Sequence, residues 1–193
     1  MVRILPATVL AALAAFPTFA SESETKLLFN GTDFTGWQTA AGEPVTKGWV
    51  VKDGTMAREA KGGGDIWTKD RFGDFVLELE FNTTGNSGVF IRTDKPKDNV
   101  QTGIEIQVDV PASQPGKHSV GALYDLVAPT KDNTKKGEWN KMKVTAKGNI
   151  ITVEINGEKV NEMDLDKWTE GGKNPDGTKN KFKTALKDFK REG

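Results

Sequence analysis

The sequence holds no cysteine, one histidine and one tyrosine among 193 residues. Disulfides, cysteine-ligated zinc and thiol nucleophiles are therefore excluded, and a single imidazole rules out a histidine-rich metal site. Neither charge is in excess: 27 Lys and Arg balance 27 Asp and Glu. Without a basic surplus the chain has no electrostatic footprint for nucleic acid, and none is expected as a partner. Beyond the first 20 residues no apolar run is long enough to span a bilayer. A Gly-x-Ser-x-Gly elbow, a phosphate loop and a calcium-binding loop are all missing. Helical periodicity is nearly absent before residue 175.

What is present begins with MVRILPATVLAALAAFPTFA. Arg3 gives a positive start, an apolar stretch runs to about Phe16, and Thr18 and Ala20 are small residues before a cut after Ala20. Residues 1–20 thus read as a secretory signal peptide, and a periplasmic or extracellular protein is expected. Residues 21–26 (SESETK) read as a solvated tether and residues 27–193 as one domain. That leaves on the order of 170 residues, enough for a packed core.

Within the domain, short alternating segments are separated by turn residues every eight to twelve positions. GWVVKDGTMARE is a hairpin on Asp53-Gly54. In FVLELEF, Phe75, Leu77, Leu79 and Phe81 share one face, and Glu78 and Glu80 point to solvent on the other. GNSGVFIR and IEIQVD are the next strands, and GALYDLVAP is a short one stopped by proline. MKVTA and IITVEI flank a turn, and Asn156-Gly157 turns the chain into EKVNEMD. Phe182, Ala185, Leu186 and Phe189 recur at i, i+3, i+4 and i+7 and predict a short amphipathic helix near the C-terminus. The pattern is that of an all-β jelly-roll sandwich of two antiparallel sheets with a short C-terminal helix.

The segment 86–109, NSGVFIRTDKPKDNVQTGIEIQVD, concentrates the candidate chemistry. With Ile104, Ile106 and Val108 on the core face, Glu105, Gln107 and Asp109 point outward. With Val89 and Ile91 in the core, Phe90 and Arg92 share that outward face. An arginine beside carboxylates keeps them ionised and clamps polar substrates, and an aromatic ring offers a sugar a stacking surface. The bland counterpart is an ordinary wet face with a cross-strand ion pair. His118, nine residues after Asp109, is either an exposed loop residue or a group reaching the same face. Tyr124 is either a core edge or a hydroxyl donor. The tryptophans, Trp139 among them, read as packing residues.

LFNGTDFTGW, GWVVKDGTM, GNSGVFIR, EIQVD, GALYDLVAP and GEWNKMKVTAKGNIITVEINGEKV occur in this order, from about Leu27 to Asp164. Together they resemble the 3-keto-disaccharide hydrolase domain family. The resemblance implies a concanavalin A-like jelly roll, a 3-keto sugar as partner, and exported proteins that process sugars oxidised at C3. It also implies a further segment and a closing arginine-bearing strand after the residues seen here, so the domain is expected to lack its last strand. A ketone at C3 acidifies the C2 proton, so a positioned base and an enolate stabiliser suffice for loss of the C1 substituent. On this reading Glu105 is the base or a metal ligand, Arg92 the stabiliser or the clamp, and His118 or Tyr124 an acid partner. Gln107 and Asp109 orient hydroxyls, with Phe90 and Tyr124 also lining the substrate. A divalent metal held by carboxylates could act as electrophile, though nothing in the sequence requires one. The alternative is a non-catalytic carbohydrate-binding module of the same fold.

Overall fold

The computed structural model describes residues 25–59 and 62–193. The signal-peptide expectation for residues 1–20 and most of the tether lie outside the described residues.

The segments that alternate in sequence pair in space. In chain order the strands are β1 (Trp37–Thr39), β2 (Trp49–Lys52), β3 (Thr55–Arg58), β4 (Ile66–Thr68), β5 (Phe75–Phe81), β6 (Ser87–Ile91), β7 (Ile104–Val108), β8 (Asn140–Lys147), β9 (Ile150–Ile155) and β10 (Glu158–Asp164). Every pairing is antiparallel: a four-stranded sheet β10-β9-β8-β5, and the pairs β6-β7, β2-β3 and β1-β4. The fold is the jelly-roll sandwich the pattern predicts. The only α-helix among the described residues is the single turn α1 (Asn99–Thr102), just before β7.

The core lies between the four-stranded sheet and β6-β7. Met142, Val144 and Ala146 of β8 and Ile151, Val153 and Ile155 of β9 meet Ile91, Ile104, Ile106 and Val108. Leu77 and Leu79 of β5 pack against the same cluster, as their alternation requires. The outer face of that sheet is solvated and carries Lys–Glu pairs: Lys143–Glu154 at 3.2 Å and Lys141–Glu80 at 3.8 Å. Glu78 lies opposite Lys143 in the register, so the reading of Glu78 and Glu80 as solvent-facing holds.

Two expectations need correction. Phe182, Ala185, Leu186 and Phe189 are all buried, but not on an α-helix. Only Leu186–Asp188 forms a 3-10 turn, with Ala185 and Phe189 extended on either side. Ala185 offers no side-chain cap, and an isolated run this short does not sustain a helix. The apolar residues instead enter the core one by one, with Phe182 and Phe189 in edge-to-face contact at 5.6 Å. Trp139 is 54% exposed rather than packed. At the chain's end, Gly193 and Phe72 exchange backbone hydrogen bonds at 2.8 and 3.2 Å.

Candidate active site

Glu105 sits mid-strand on β7 with its side chain on the face away from the core, and Phe90 of β6 is its register partner. On the other edge of β7, residues 121–124 add a short strand-like segment. Leu123 bridges Ile106, and the Tyr124 N–H donates to the Glu105 carbonyl at 2.9 Å. Glu105 is therefore flanked by aromatic residues on the two segments beside it. GALYDLVAP is mainly loop rather than the predicted strand, but its Tyr124 falls where strand pairing would put it.

The loop is held in place by an irregularity in β10. The register shifts between Lys159 and Asn161, so Val160 and Asn161 are both buried. The Asn161 side-chain amide donates to the Gly121 and Val127 carbonyls at 3.0 and 2.9 Å. The sequence reading missed Asn161. In EKVNEMD nothing distinguishes it from a solvent-facing strand residue.

The Glu105 side chain is 17% exposed, and its carboxylate lies 3.9 Å from the ammonium of Lys181. Lys181 is also 4.1 Å from the centre of the Tyr124 ring, a cation–π distance. Its backbone is tied at both ends: its N–H donates to Asp125 Oδ2 at 3.0 Å, and its carbonyl accepts from Gln101 Nε2 at 2.9 Å. His118 stacks on Tyr124 with ring centres 4.5 Å apart, and its Nε2 is 3.6 Å from Asp125 Oδ1. Asp125 adopts a left-handed backbone (φ 64°), a conformation unusual for a residue with a side chain, and it faces both partners. Burial pushes the Glu105 carboxyl above its ordinary range; Asp65 adds to this, while Lys181 and His118 oppose it. Burial likewise lowers the Lys181 ammonium, against the pull of Glu105 and Asp125.

Gly88 makes room for this carboxylate. A Cβ there would fall on a Glu105 carboxylate oxygen and 3.0 Å from its Cγ. Gly88→Ala is expected to displace the carboxylate with little effect on folding, since the displaced atoms end a flexible side chain. Turnover should drop roughly tenfold or more while the melting curve stays close to wild type. Paired rate and thermal-unfolding measurements check this.

Arg92 is not in the site. It follows the last residue of β6 with φ 50°, which breaks the strand alternation on which the outward placement rested. Its side chain is 1% exposed and runs to Asp74 at 3.0 Å and to the Gly73 and Gly148 carbonyls at 3.0 and 2.6 Å. Gln107 faces the predicted way but is buried, not solvent-facing, with its amide donating to Asn86 at 2.8 Å. Among the described residues its Oε1 has no hydrogen-bond partner. Asp109 lies past the end of β7, where it accepts the Val110 N–H and borders a polar notch with Asn82, Thr83 and Thr134. Phe90 stacks at a tilt on Trp67 of β4, centres 5.9 Å apart, which enlarges the aromatic wall beyond what the sequence suggested. Of the predicted residues, the structure thus gathers Glu105, Phe90, Tyr124 and His118, and it adds Lys181, Asp125 and Gly88.

No three His, Cys, Asp or Glu side chains converge to hold a metal ion among the described residues. The positive group beside the Glu105 carboxylate is the Lys181 ammonium, 3.9 Å away. The donor set does not fit the metal-ligand reading of Glu105.

Residues 24–189 match the model of the 3-keto-alpha-glucoside-1,2-lyase-like domain. The chain belongs to this family. A 3-keto-disaccharide hydrolase from Bacteroides thetaiotaomicron is 29% identical over 171 residues, which cover 74% of this chain and 58% of that protein. The chain thus matches little more than half the length of this curated relative. Two solved structures of candidate glycosyl hydrolases from Parabacteroides distasonis are each 31% identical. One superposes with a TM-score of 0.70 over 81% of this chain and 87% of its own, the other with 0.64 over 72% and 71%.

Proposed function

We propose that this domain cleaves 3-keto glycosides, with Glu105 as the base that takes the C2 proton. The observation that carries the reading is a poorly solvated carboxylate set between two aromatic residues and beside a lysine, in a chain of this family. A carbohydrate-binding module needs an aromatic platform but no buried, electrostatically coupled carboxylate. A base whose pKa lies above the usual carboxylate range is also better matched to removing a weakly acidic C–H proton at neutral pH.

In the proposed sequence Glu105 removes the proton from C2, and the C–H electron pair forms an enolate with the C3 carbonyl. The pair then returns to form C1=C2, and the C1–O bond breaks with its electrons on the leaving oxygen. His118, the exposed imidazole beside Asp125, gives that oxygen a proton. Water can then add across C1=C2, its oxygen to C1, while the protonated Glu105 returns a proton to C2 and His118 recovers its own. The net result is hydrolysis without oxidation or reduction. Phe90 and Trp67 supply the face on which a sugar ring stacks. The apolar N-terminal segment, read as a signal peptide, supports a periplasmic or extracellular setting for this reaction.

The test is release of a chromogenic leaving group from a 3-keto glucoside, run beside the unoxidised glucoside, with circular dichroism on the same sample. Release from the keto sugar alone is expected. Equal release from both would point to ordinary two-carboxylate glycosidase chemistry. Sugar binding by a folded sample without release would return the domain to the binding-module class.

A further inference from the structure

We infer that Lys181 is a catalytic residue of this site, its ammonium holding the C3 oxygen of the keto sugar as negative charge builds there. The inference rests on the elimination reading above. That reaction needs a cation or strong donor where the enolate forms, and Arg92, the residue the sequence offered, is turned away onto Gly73, Gly148 and Asp74. Lys181 stands in its place. Its Nζ is 3.9 Å from Glu105 Oε2, longer than a hydrogen bond, so base and cation sit side by side without closing on each other. The substrate presents its C2–H and its C3 oxygen on adjacent carbons, and such an open pair can face both.

The lysine is also placed, not incidental. Its segment has no regular structure, yet Asp125 accepts from its N–H and Gln101 donates to its carbonyl. Gln101 in turn accepts from the Lys183 N–H at 2.9 Å, so one side chain clasps the chain on both sides of Phe182, which is buried in the core. These ties use backbone atoms, so positioning the segment takes no hydrogen bond from the ammonium, which lies against Tyr124 and beside Glu105. The charged groups that act on it are Glu105 and Asp125, and the Tyr124 ring lies 4.1 Å from its ammonium; Asp65 and His118 act on Glu105. With a side chain only 24% exposed, the ammonium acts through poorly solvated surroundings, where a fixed charge counts for more than in water. Lys181 keeps its proton throughout; the electron pair moves from C2–H to the C3 oxygen and back, and no bond to nitrogen forms.

Lys181→Met and Lys181→Arg test this on the full chain, with the chromogenic 3-keto glucoside as substrate. K181M is expected to lose about 10²–10³ in kcat, with KM within roughly threefold of wild type and C2 deuterium exchange slowed in parallel. K181R should recover part of the loss, because it restores the charge. A readout separate from turnover is the 13C titration of the Glu105 carboxyl, which should move further up in K181M once the neighbouring cation is gone. Unchanged kcat, or a loss borne by KM alone, overturns the role of Lys181 while leaving the elimination reading intact. Borohydride treatment during turnover that left the sugar bonded to Lys181 would overturn it in favour of an iminium. A folded wild-type chain showing neither release nor C2 exchange defeats the elimination reading and this inference with it.

Discussion

Replacing Glu105 with Gln is expected to give a folded protein whose turnover of a 3-keto glucoside falls by about 10³-fold or more, the upper part of the range for loss of a general base. The amide has nearly the shape of the carboxylate and fits the same space against Gly88, but it cannot accept a proton from carbon. The pH dependence follows from the same environment. Only ionised Glu105 is a base, and burial holds its pKa above the usual carboxylate value. The acid limb of the wild-type rate should therefore lie at higher pH than an ordinary glutamate would give. The stability consequence has the opposite sign. A carboxyl whose pKa is raised on folding contributes stability below its unfolded value of 4.5, and that contribution is lost as pH rises through the folded value. At neutral pH the ionised side chain is thus a cost to the native state, even with Lys181 beside it. E105Q should melt no lower than wild type at pH 7, and its advantage should shrink in acid. Thermal unfolding of both proteins at pH 7 and pH 4, beside kcat, checks the pair of claims. An E105Q that loses several degrees at pH 7 would show that attraction to Lys181 outweighs desolvation, and an E105Q with wild-type turnover would remove Glu105 from the chemistry.

The legible part of this site is the part that strand geometry dictates. Ile104, Ile106 and Val108 must face the core, so Glu105 must face away, and Phe90 follows once its strand pairs with β7. Tyr124 was legible only as a choice between two roles, because the strand-like pairing of residues 121–124 depends on Asn161, 37 positions beyond it in the chain. Lys181 was not legible at all. It lies in a lysine-rich, irregular stretch, and nothing local sets it apart from Lys179 or Lys183. Gln101 and Asp125 place it, and both contacts are long-range. The tail shows the same limit from another side. An i, i+3, i+4, i+7 pattern correctly marks Phe182, Leu186 and Phe189 as buried, but burial by a helix and burial by a turn with extended flanks leave the same trace. Arg92 failed for a conformational reason, since period-2 reasoning stops at the first left-handed residue.

Arg92→Met is expected to destabilise the fold by about 3 kcal/mol without altering turnover per folded molecule. Arg92 joins three separate parts of the structure. Its guanidinium donates to the Gly73 carbonyl ahead of β5, to the Gly148 carbonyl in the β8–β9 turn, and to Asp74, which also accepts the Gly148 N–H at 2.8 Å. It thereby ties the end of β6 to the four-stranded sheet across the sandwich. The pairing with Asp74 contributes little on its own, because that side chain is 60% exposed and is readily solvated when the arginine is removed. The larger loss is that two backbone carbonyls give up a charged donor inside the protein. Methionine keeps most of the aliphatic packing of the stem, so the variant isolates the hydrogen bonds. Lysine should rescue only in part, since a single ammonium cannot reproduce a fork with three acceptors. For a domain of this size the expected fall in Tm is roughly 6–12 °C, and denaturant titration should show a lower midpoint at an unchanged slope. Because Arg92 lies apart from the charges that act on Glu105, kcat measured well below the new Tm should match wild type. Normal stability with abolished turnover would instead return Arg92 to the substrate clamp that its place in the sequence suggested.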